Sequence, residues 1–275
     1  MEKIAGPGGA ECYRIAHESG SEVTIAQHGG HIISWKTADG IERLYLSELA
    51  DFSEGKAIRG GVPVIFPQFN ANGPYARHGF ARKTEWTPDL EAGVMKLASS
   101  EATRALWPFD FEILIGVQLS ATTLEIGLTV HNTGTQPFPF QAALHTYFSV
   151  NDATKSTVTG LDSIPFHNEV TDQTETASNE NNGITFGTEI DRSYCGVENR
   201  TIQICDGSNP SLQIASTNFP DCVVWNPGSG HGIGDLPLEG WKNYLCVESA
   251  QVTDAEPLAP GNRWHGTQKI SVFEE

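Results

Sequence analysis

Residues 112–120 read EILIGVQLS and residues 124–130 read LEIGLTV. In the first stretch Ile113, Ile115, Val117 and Leu119 fall on every second position. In the second, Leu124, Ile126, Leu128 and Val130 do the same. A period of two places each set on one face of a strand. Ala121-Thr122 and their neighbours leave room for little more than a turn, so the two stretches read as an antiparallel hairpin with one buried face. Asn132-Thr133-Gly134 then turns the chain toward a further apolar run at 138–150. His31–Lys36, beside Gly29-Gly30, reads as another strand. So do short runs near Val158 and at 201–205, 212–215, 222–225, 244–247 and 269–273. Asp, Asn, Gly and Pro separate nearly all of them.

Helical periodicity is almost absent; only 47–55 and 236–242 could hold a turn or two. Many short strands without interleaved helices define an all-β chain folded as a sandwich or barrel. No repeat and no linker divides the sequence, so residues 1–275 are expected to form a single domain. Residues 172–182, DQTETASNENN, are polar and acidic and read as a surface loop.

Composition narrows the function. A chain of 275 residues with 39% hydrophobic content buries enough surface to fold without a disulfide or metal staple. No apolar run approaches the ~20 residues needed to cross a bilayer as a helix. Residues 1–12 lack a basic segment followed by an apolar core, so no export signal is expected. The net charge of −17 argues against nucleic acid and against anionic membranes as partners. The five cysteines (Cys12, Cys195, Cys205, Cys222, Cys246) are scattered without a CxxC pair. They read as reduced thiols of a cytoplasmic protein, with no zinc site.

Against this acidic background, residues 56–83 carry Lys56, Arg59, Arg77, Arg82 and Lys83 and no carboxylate. A solvated basic face is one reading. The arginines, however, sit in Gly/Pro-rich loop sequence, where rigid scaffolds present functional groups. Guanidinium forks also match phosphate oxygens. An oxyanion site is the second reading. His145 follows Ala142-Ala143-Leu144 and precedes Thr146-Tyr147-Phe148. It is either a hydrogen-bonded core histidine or an acid/base group. Glu248 follows the apolar run Tyr244-Leu245-Cys246-Val247. It is either a strand-end carboxylate bound to a backbone amide or a buried functional one. Asp191 alone reads as half of a surface salt bridge. No nucleophile elbow, metal-ligand spacing or nucleotide-binding glycine motif is present. No metal and no cofactor are therefore expected.

Six stretches now combine: Arg59-Gly60-Gly61-Val62-Pro63-Val64-Ile65-Phe66-Pro67, Arg77-His78-Gly79-Phe80-Ala81-Arg82, His145-Thr146-Tyr147-Phe148, Asp191-Arg192-Ser193-Tyr194, Val223-Val224-Trp225-Asn226-Pro227 and the Glu248 strand. In this order they resemble the hexose-6-phosphate mutarotases (glucose-6-phosphate 1-epimerases), a branch of the aldose 1-epimerase superfamily. Leu258-Ala259-Pro260-Gly261 fits as well, so the resemblance covers most of the chain. It implies a large β-sandwich of the galactose-mutarotase-like supersandwich type. It implies His145 as general acid and Glu248 as general base, with Asp191 holding sugar hydroxyls and His78 contacting the sugar. Arg59 and Arg82 match the phosphate-binding arginines. Arg77 stands where relatives often carry Gln, and the run at 228–234, GSGHGIG, is richer in glycine than the matching segment of many relatives.

The implied chemistry suits these residue types. Mutarotation removes a proton from the C1 hydroxyl and adds one at the ring oxygen, then reverses both after rotation about C1–C2. A carboxylate ionised at neutral pH suits the first task and an imidazolium near its pKa the second. The two groups are expected on opposite sides of the C1–O5 edge, with no cofactor. The expected partner is a hexose phosphate, the expected state a monomer. An epimerase of unphosphorylated sugars would not need the cationic segment. A binding module would need neither His145 nor Glu248. A glycoside hydrolase would need two flanking carboxylates, with Asp191 as the second.

Overall fold

Alternating side chains build this molecule, and they build it as three antiparallel sheets. The computed structural model describes residues 1–176, 183–207, 209–253 and 257–273. The hairpin forms as its periodicity predicts. Phe111–Leu119 pairs with Thr123–Asn132, Leu119 opposite Leu124, and Ile113, Ile115, Leu124, Ile126, Leu128 and Val130 are fully buried. It lies inside a sheet whose order runs Ile184–Thr185, Ser156–Thr159, Thr201–Asp206, Asn209–Thr217, Arg263–Val272, Thr123–Asn132, Phe111–Leu119, Val94–Ala98, Thr87–Asp89.

A second sheet packs against it. Its order is Gln173–Thr176, Pro165–Asn168, Ile190–Tyr194, Asp221–Asn226, Tyr244–Gln251, Ala142–Leu144, Val64–Ile65, with Tyr147–Ser149 also pairing along Tyr244–Gln251. Glu2–Ala5, Glu11–Ala16, Glu22–Ala26 and His31–Lys36 form a smaller third sheet. One apolar cluster joins all three, from Val23 and Ile25 through Ile113 and Ile126 to Leu245 and Val247. The all-β reading therefore resolves as a sandwich rather than a barrel.

Three local expectations change. Residues 47–55 form turns and bends rather than helix, and of 236–242 only the end joins a 3-10 turn, Gly240–Asn243. An α-helix does form where none was expected, at Glu101–Leu106. Ser100 Oγ accepts from the Thr103 amide while Thr103 Oγ1 accepts from the Ser100 amide, a reciprocal cap. Six residues are too few to show a helical period, so only the cap could have announced it. Finally, the stretch read as a loop at 172–182 contains a strand, Gln173–Thr176, hydrogen-bonded to Pro165–Asn168. Residues 177–182 lie outside the described residues.

Candidate active site

The outer face of the second sheet carries the site, and alternation explains how. Along Tyr244–Gln251, Leu245, Val247 and Ser249 face the sandwich interior, so Tyr244, Cys246 and Glu248 face the other way. Val223 stands opposite Glu248 and Trp225 opposite Cys246. On the next strand Asp191 stands opposite Trp225. One sheet face therefore brings together Glu248, Trp225 and Asp191.

His145 arrives from the other side of the same strand. Leu144 pairs with Ser249 and Tyr147 with Cys246. The register on either side places His145 opposite Glu248. Its Nε2 lies 3.3 Å from Glu248 Oε1, and the two side chains are 9% and 1% exposed. The His145 ring stacks on Tyr147, centroids 4.9 Å apart and planes 9° from parallel, and meets Trp225 nearly edge-on at 82°. The remaining polar atoms, His145 Nδ1 and Glu248 Oε2, are buried without a hydrogen-bond partner. Among the described residues Glu248 sits within its strand and binds no backbone amide, and the histidine's second nitrogen is unsatisfied. The two groups stand side by side on one wall, because they are neighbours in one sheet.

Burial sets the protonation of this pair. It holds the Glu248 carboxyl well above its ordinary range, with the charge of Asp191 adding to the effect and Arg82 opposing it. It holds the His145 imidazole well below its ordinary range, with repulsion from Arg82 and Arg59 adding. Burial thus disfavours separate charges on this pair in the ligand-free protein.

Loops close the cavity, which measures about 250 Å³. It is lined by Arg59, Arg77, His78, Arg82, His145, Asp191 and Glu248, all read as site residues from the sequence, together with Phe69, Asn70, Trp225 and Ile233. The glycines of the first two motifs make the loops possible. Gly61 has φ +59°, and a Cβ there would overlap the Ile32 carbonyl oxygen; Gly79 has φ +65°, and a Cβ would overlap that of Phe66. His78 itself adopts φ +61°. Its Nδ1 accepts from the Asn70 amide at 3.2 Å, which leaves the ring proton on Nε2. Burial, followed by Arg82, Arg77 and Arg59, pushes its pKa down to about 3, so it is a neutral ring.

The arginines differ in their bracing. Arg59 Nε donates to Asp235 Oδ1 at 3.0 Å and Nη1 to the Tyr147 hydroxyl at 2.9 Å. Asp235 follows the glycine-rich run, whose start is fixed by Asn226. The Asn226 amide donates to the Trp241 and Tyr244 carbonyls, and its Oδ1 accepts from the Gly228 amide. Irregular turns then carry Ile233 to the cavity and Asp235 to Arg59. Arg82 forms no ion pair among the described residues. Its Nη2 donates to the Arg77 carbonyl at 3.3 Å, and its Nε is buried without a partner. Burial pulls its pKa down to about 10, and Arg59 and Arg77 push the same way. Arg77 is exposed at the rim. Lys56 and Lys83 do not line the cavity. Asp191 is half-buried, and burial, then Glu169 and Glu189, push its carboxyl up to about 7.

The site residues missed by sequence reasoning are instructive. Trp225 and Tyr147 stood in the quoted motifs, and their alternation with Cys246 and Glu248 would have placed them here. Phe69, Asn70 and Ile233 come from loops that carry no periodicity.

A β-sandwich with a histidine–carboxylate pair at the floor of a small polar cavity is the architecture of a carbohydrate mutarotase. The chain belongs to the aldose 1-epimerase family, whose model matches residues 11–271. A relative from Cenchrus ciliaris, provisionally named glucose-6-phosphate 1-epimerase, is 31% identical over 98% of this chain and 87% of its own. One from Escherichia coli (strain K12) with the same provisional name is 35% identical over 91% of this chain and 87% of its own. The crystal structure of a provisionally assigned mutarotase from Salmonella typhimurium superposes with a TM-score of 0.84 at 29% identity, covering 100% of this chain and 97% of that one. A galactose mutarotase-like protein from Lactobacillus casei, 16% identical, shares the fold with a TM-score of 0.74 over 95% of this chain and 100% of that one.

Proposed function

We propose that this protein interconverts the α and β anomers of a hexose 6-phosphate, glucose 6-phosphate foremost, by acid/base opening and closure of the ring. The observation that carries the reading is Arg82, half-buried beside the braced Arg59 in the cavity that holds His145 and Glu248, with no ion pair among the described residues and a buried Nε without a partner. A partly desolvated guanidinium without a carboxylate is completed by an anion that its free N–H groups can reach. A neutral sugar offers no such anion; a phosphate does.

The chemistry follows from one proton shared by the pair. With Glu248 ionised and His145 protonated, the carboxylate takes the O1 proton while the imidazolium delivers its proton to O5. The C1–O5 bond breaks and the aldehyde forms. After rotation about C1–C2 the imidazole recovers its proton from the O5 hydroxyl, the oxygen attacks the opposite face of C1, and Glu248 returns a proton to O1. Arg59 and Arg82 are among the charges that keep His145 unprotonated in the free enzyme. A phosphate bound between them cancels that repulsion and favours the reactive imidazolium–carboxylate arrangement. O1 and O5 share one carbon, so two groups side by side on a single wall can address both. Asp191 and His78 hold ring hydroxyls, and Trp225 supplies an apolar face. Arg77 at the rim adds positive charge.

The chain acts as one β-sandwich domain, residues 1–275, and as a monomer, its own residues lining the cavity. The five cysteines are unpaired, which supports a reducing compartment, the cytoplasm. A substrate-like ligand without O1 tests the reading. 1,5-Anhydroglucitol 6-phosphate should bind far more tightly than 1,5-anhydroglucitol by calorimetry, with the difference lost in Arg82→Ala. Equal binding of the two would instead favour an epimerase of free sugars.

A further inference from the structure

The backbone ladder is interrupted beside the two proton-transfer groups. Ala142–Leu144 and Tyr147–Ser149 both pair with Tyr244–Gln251, but His145 and Thr146 between them do not continue the strand. The His145 amide donates to the Pro63 carbonyl and the Thr146 amide to Leu144, both away from the neighbouring strand. Only a 3.3 Å bond from the Val247 amide to the Thr146 carbonyl crosses the gap. The ladder that ordinarily fixes the spacing of cross-strand residues is therefore weakest where spacing matters most.

A side chain from the opposite sheet spans this gap. Gln268, on Arg263–Val272, is fully buried. Its Oε1 accepts from the Thr146 hydroxyl at 2.6 Å. Its Nε2 donates to Ser249 Oγ at 2.8 Å and to the Val247 carbonyl at 3.3 Å. Ser249 Oγ in turn shares a 2.6 Å bond with Ser216 Oγ on Asn209–Thr217. Thr146 is the residue after His145, Ser249 the residue after Glu248. One amide thus grips the inner faces of both chain segments whose outer faces carry the pair. Each hydrogen of the amide nitrogen and its oxygen have partners, as a network inside an apolar core requires. The same space filled by apolar side chains would be no less stable, so stability alone does not account for it.

We propose that Gln268 is a positioning residue of the active site, holding His145 and Glu248 at the separation that proton transfer needs. The proposal rests on the assignment of those two residues as the proton-transfer pair. A misplacement of about 1 Å at reacting groups costs on the order of 100-fold in rate.

The test uses Gln268→Met, Thr146→Val and the double variant, which removes both members of the Gln268–Thr146 bond and leaves an apolar contact in its place. Gln268→Met should lower kcat ~10–100-fold with KM for glucose 6-phosphate unchanged, and lower Tm. In the double variant Tm should recover while kcat stays low. Recovery of kcat together with Tm, or wild-type kcat in Gln268→Met, would overturn the proposal. If Gln268→Met does not fold, Thr146→Val alone must lower kcat; an unchanged value overturns it equally. The NMR titration of the His145 ring needs no turnover and separates this proposal from the enzymatic reading. It should shift in Gln268→Met and in Thr146→Val, and an unshifted titration in both would refute a positioning role.

Discussion

Arg59 donates from Nη1 to the hydroxyl of Tyr147 at 2.9 Å, and the ring of that tyrosine lies parallel to the imidazole of His145. One aromatic side chain thus connects Arg59 to His145, the two ends of the cavity proposed for phosphate and for proton transfer. Its two contacts are separable by substitution. Tyr147→Phe removes the hydroxyl and keeps the stack, so KM for the sugar phosphate should rise several-fold with kcat nearly unchanged. Tyr147→Leu removes the ring as well, and kcat should fall too. Steady-state kinetics on both variants check this; identical damage to kcat in the two would show that the hydroxyl, not the stack, orients His145.

His145→Ala and Glu248→Gln should each lower kcat by roughly 10²–10⁴, the usual contribution of a positioned acid or base. The double variant should be little worse than either single, because the two groups act as a unit. Anomer exchange rates, with circular dichroism as the folding control, provide the measurement. Additive losses would instead assign the groups independent roles.

The pH dependence follows from the shared proton. The pair is active with one proton and inactive with two or none. Burial holds His145 well below its ordinary value, so the second proton binds only at acidic pH. Burial holds Glu248 well above its ordinary value, so the last proton leaves far above the carboxylate range. The profile of kcat/KM should therefore be a bell whose acid limb lies below the ordinary imidazole pKa of ~6.5. An acid limb at that ordinary value would mean that the free enzyme does not bury its histidine as described.

Arg82 makes a stability prediction of opposite sign to its activity effect. The side chain is half-buried, its buried Nε has no partner and it has no ion pair among the described residues, so Arg82→Met should raise the Tm of the ligand-free protein while weakening sugar-phosphate binding. Inorganic phosphate should stabilise the wild type and not the variant. Thermal unfolding with and without phosphate decides it. A Tm that drops in Arg82→Met would make the arginine a structural element of the loop.

Asp191 couples stability to pH. Its folded pKa, about 7, lies above the ~3.9 of an unfolded aspartate. Between these values the native state binds more protons than the unfolded state, so this group subtracts stability as pH rises. The gain in Tm from Asp191→Asn should accordingly be larger at pH 8 than at pH 4. Equal gains at both would place Asp191 in solvent.

Much of this was legible because two residue patterns are rigid in what they allow. Period-two alternation in 112–130 admits only a half-buried hairpin, and the buried Ile113 and Ile126 follow from it. The arginine loops were readable through their glycines, since Gly61 and Gly79 occupy backbone conformations other residues avoid. What the sequence hid lies in contacts between distant segments. The bracing of Arg59 by Asp235 spans 176 positions, and the Gln268–Thr146 bond spans 122. The helix Glu101–Leu106 was hidden by its brevity, and the strand Gln173–Thr176 by polar residues that suit an exposed sheet edge. The side-by-side arrangement of His145 and Glu248 needed the register, which no local pattern contains.

The central claim is that the cavity acts on the anomeric carbon of a phosphorylated hexose. Saturation transfer between the C1 signals of the two anomers measures it directly, with glucose 6-phosphate and glucose compared under one set of conditions. Fast exchange is expected for glucose 6-phosphate, slow exchange for glucose, and loss of the difference in Arg82→Ala. Exchange equally fast for both sugars in the wild type would contradict the phosphate subsite, and exchange for neither would contradict the enzymatic account altogether.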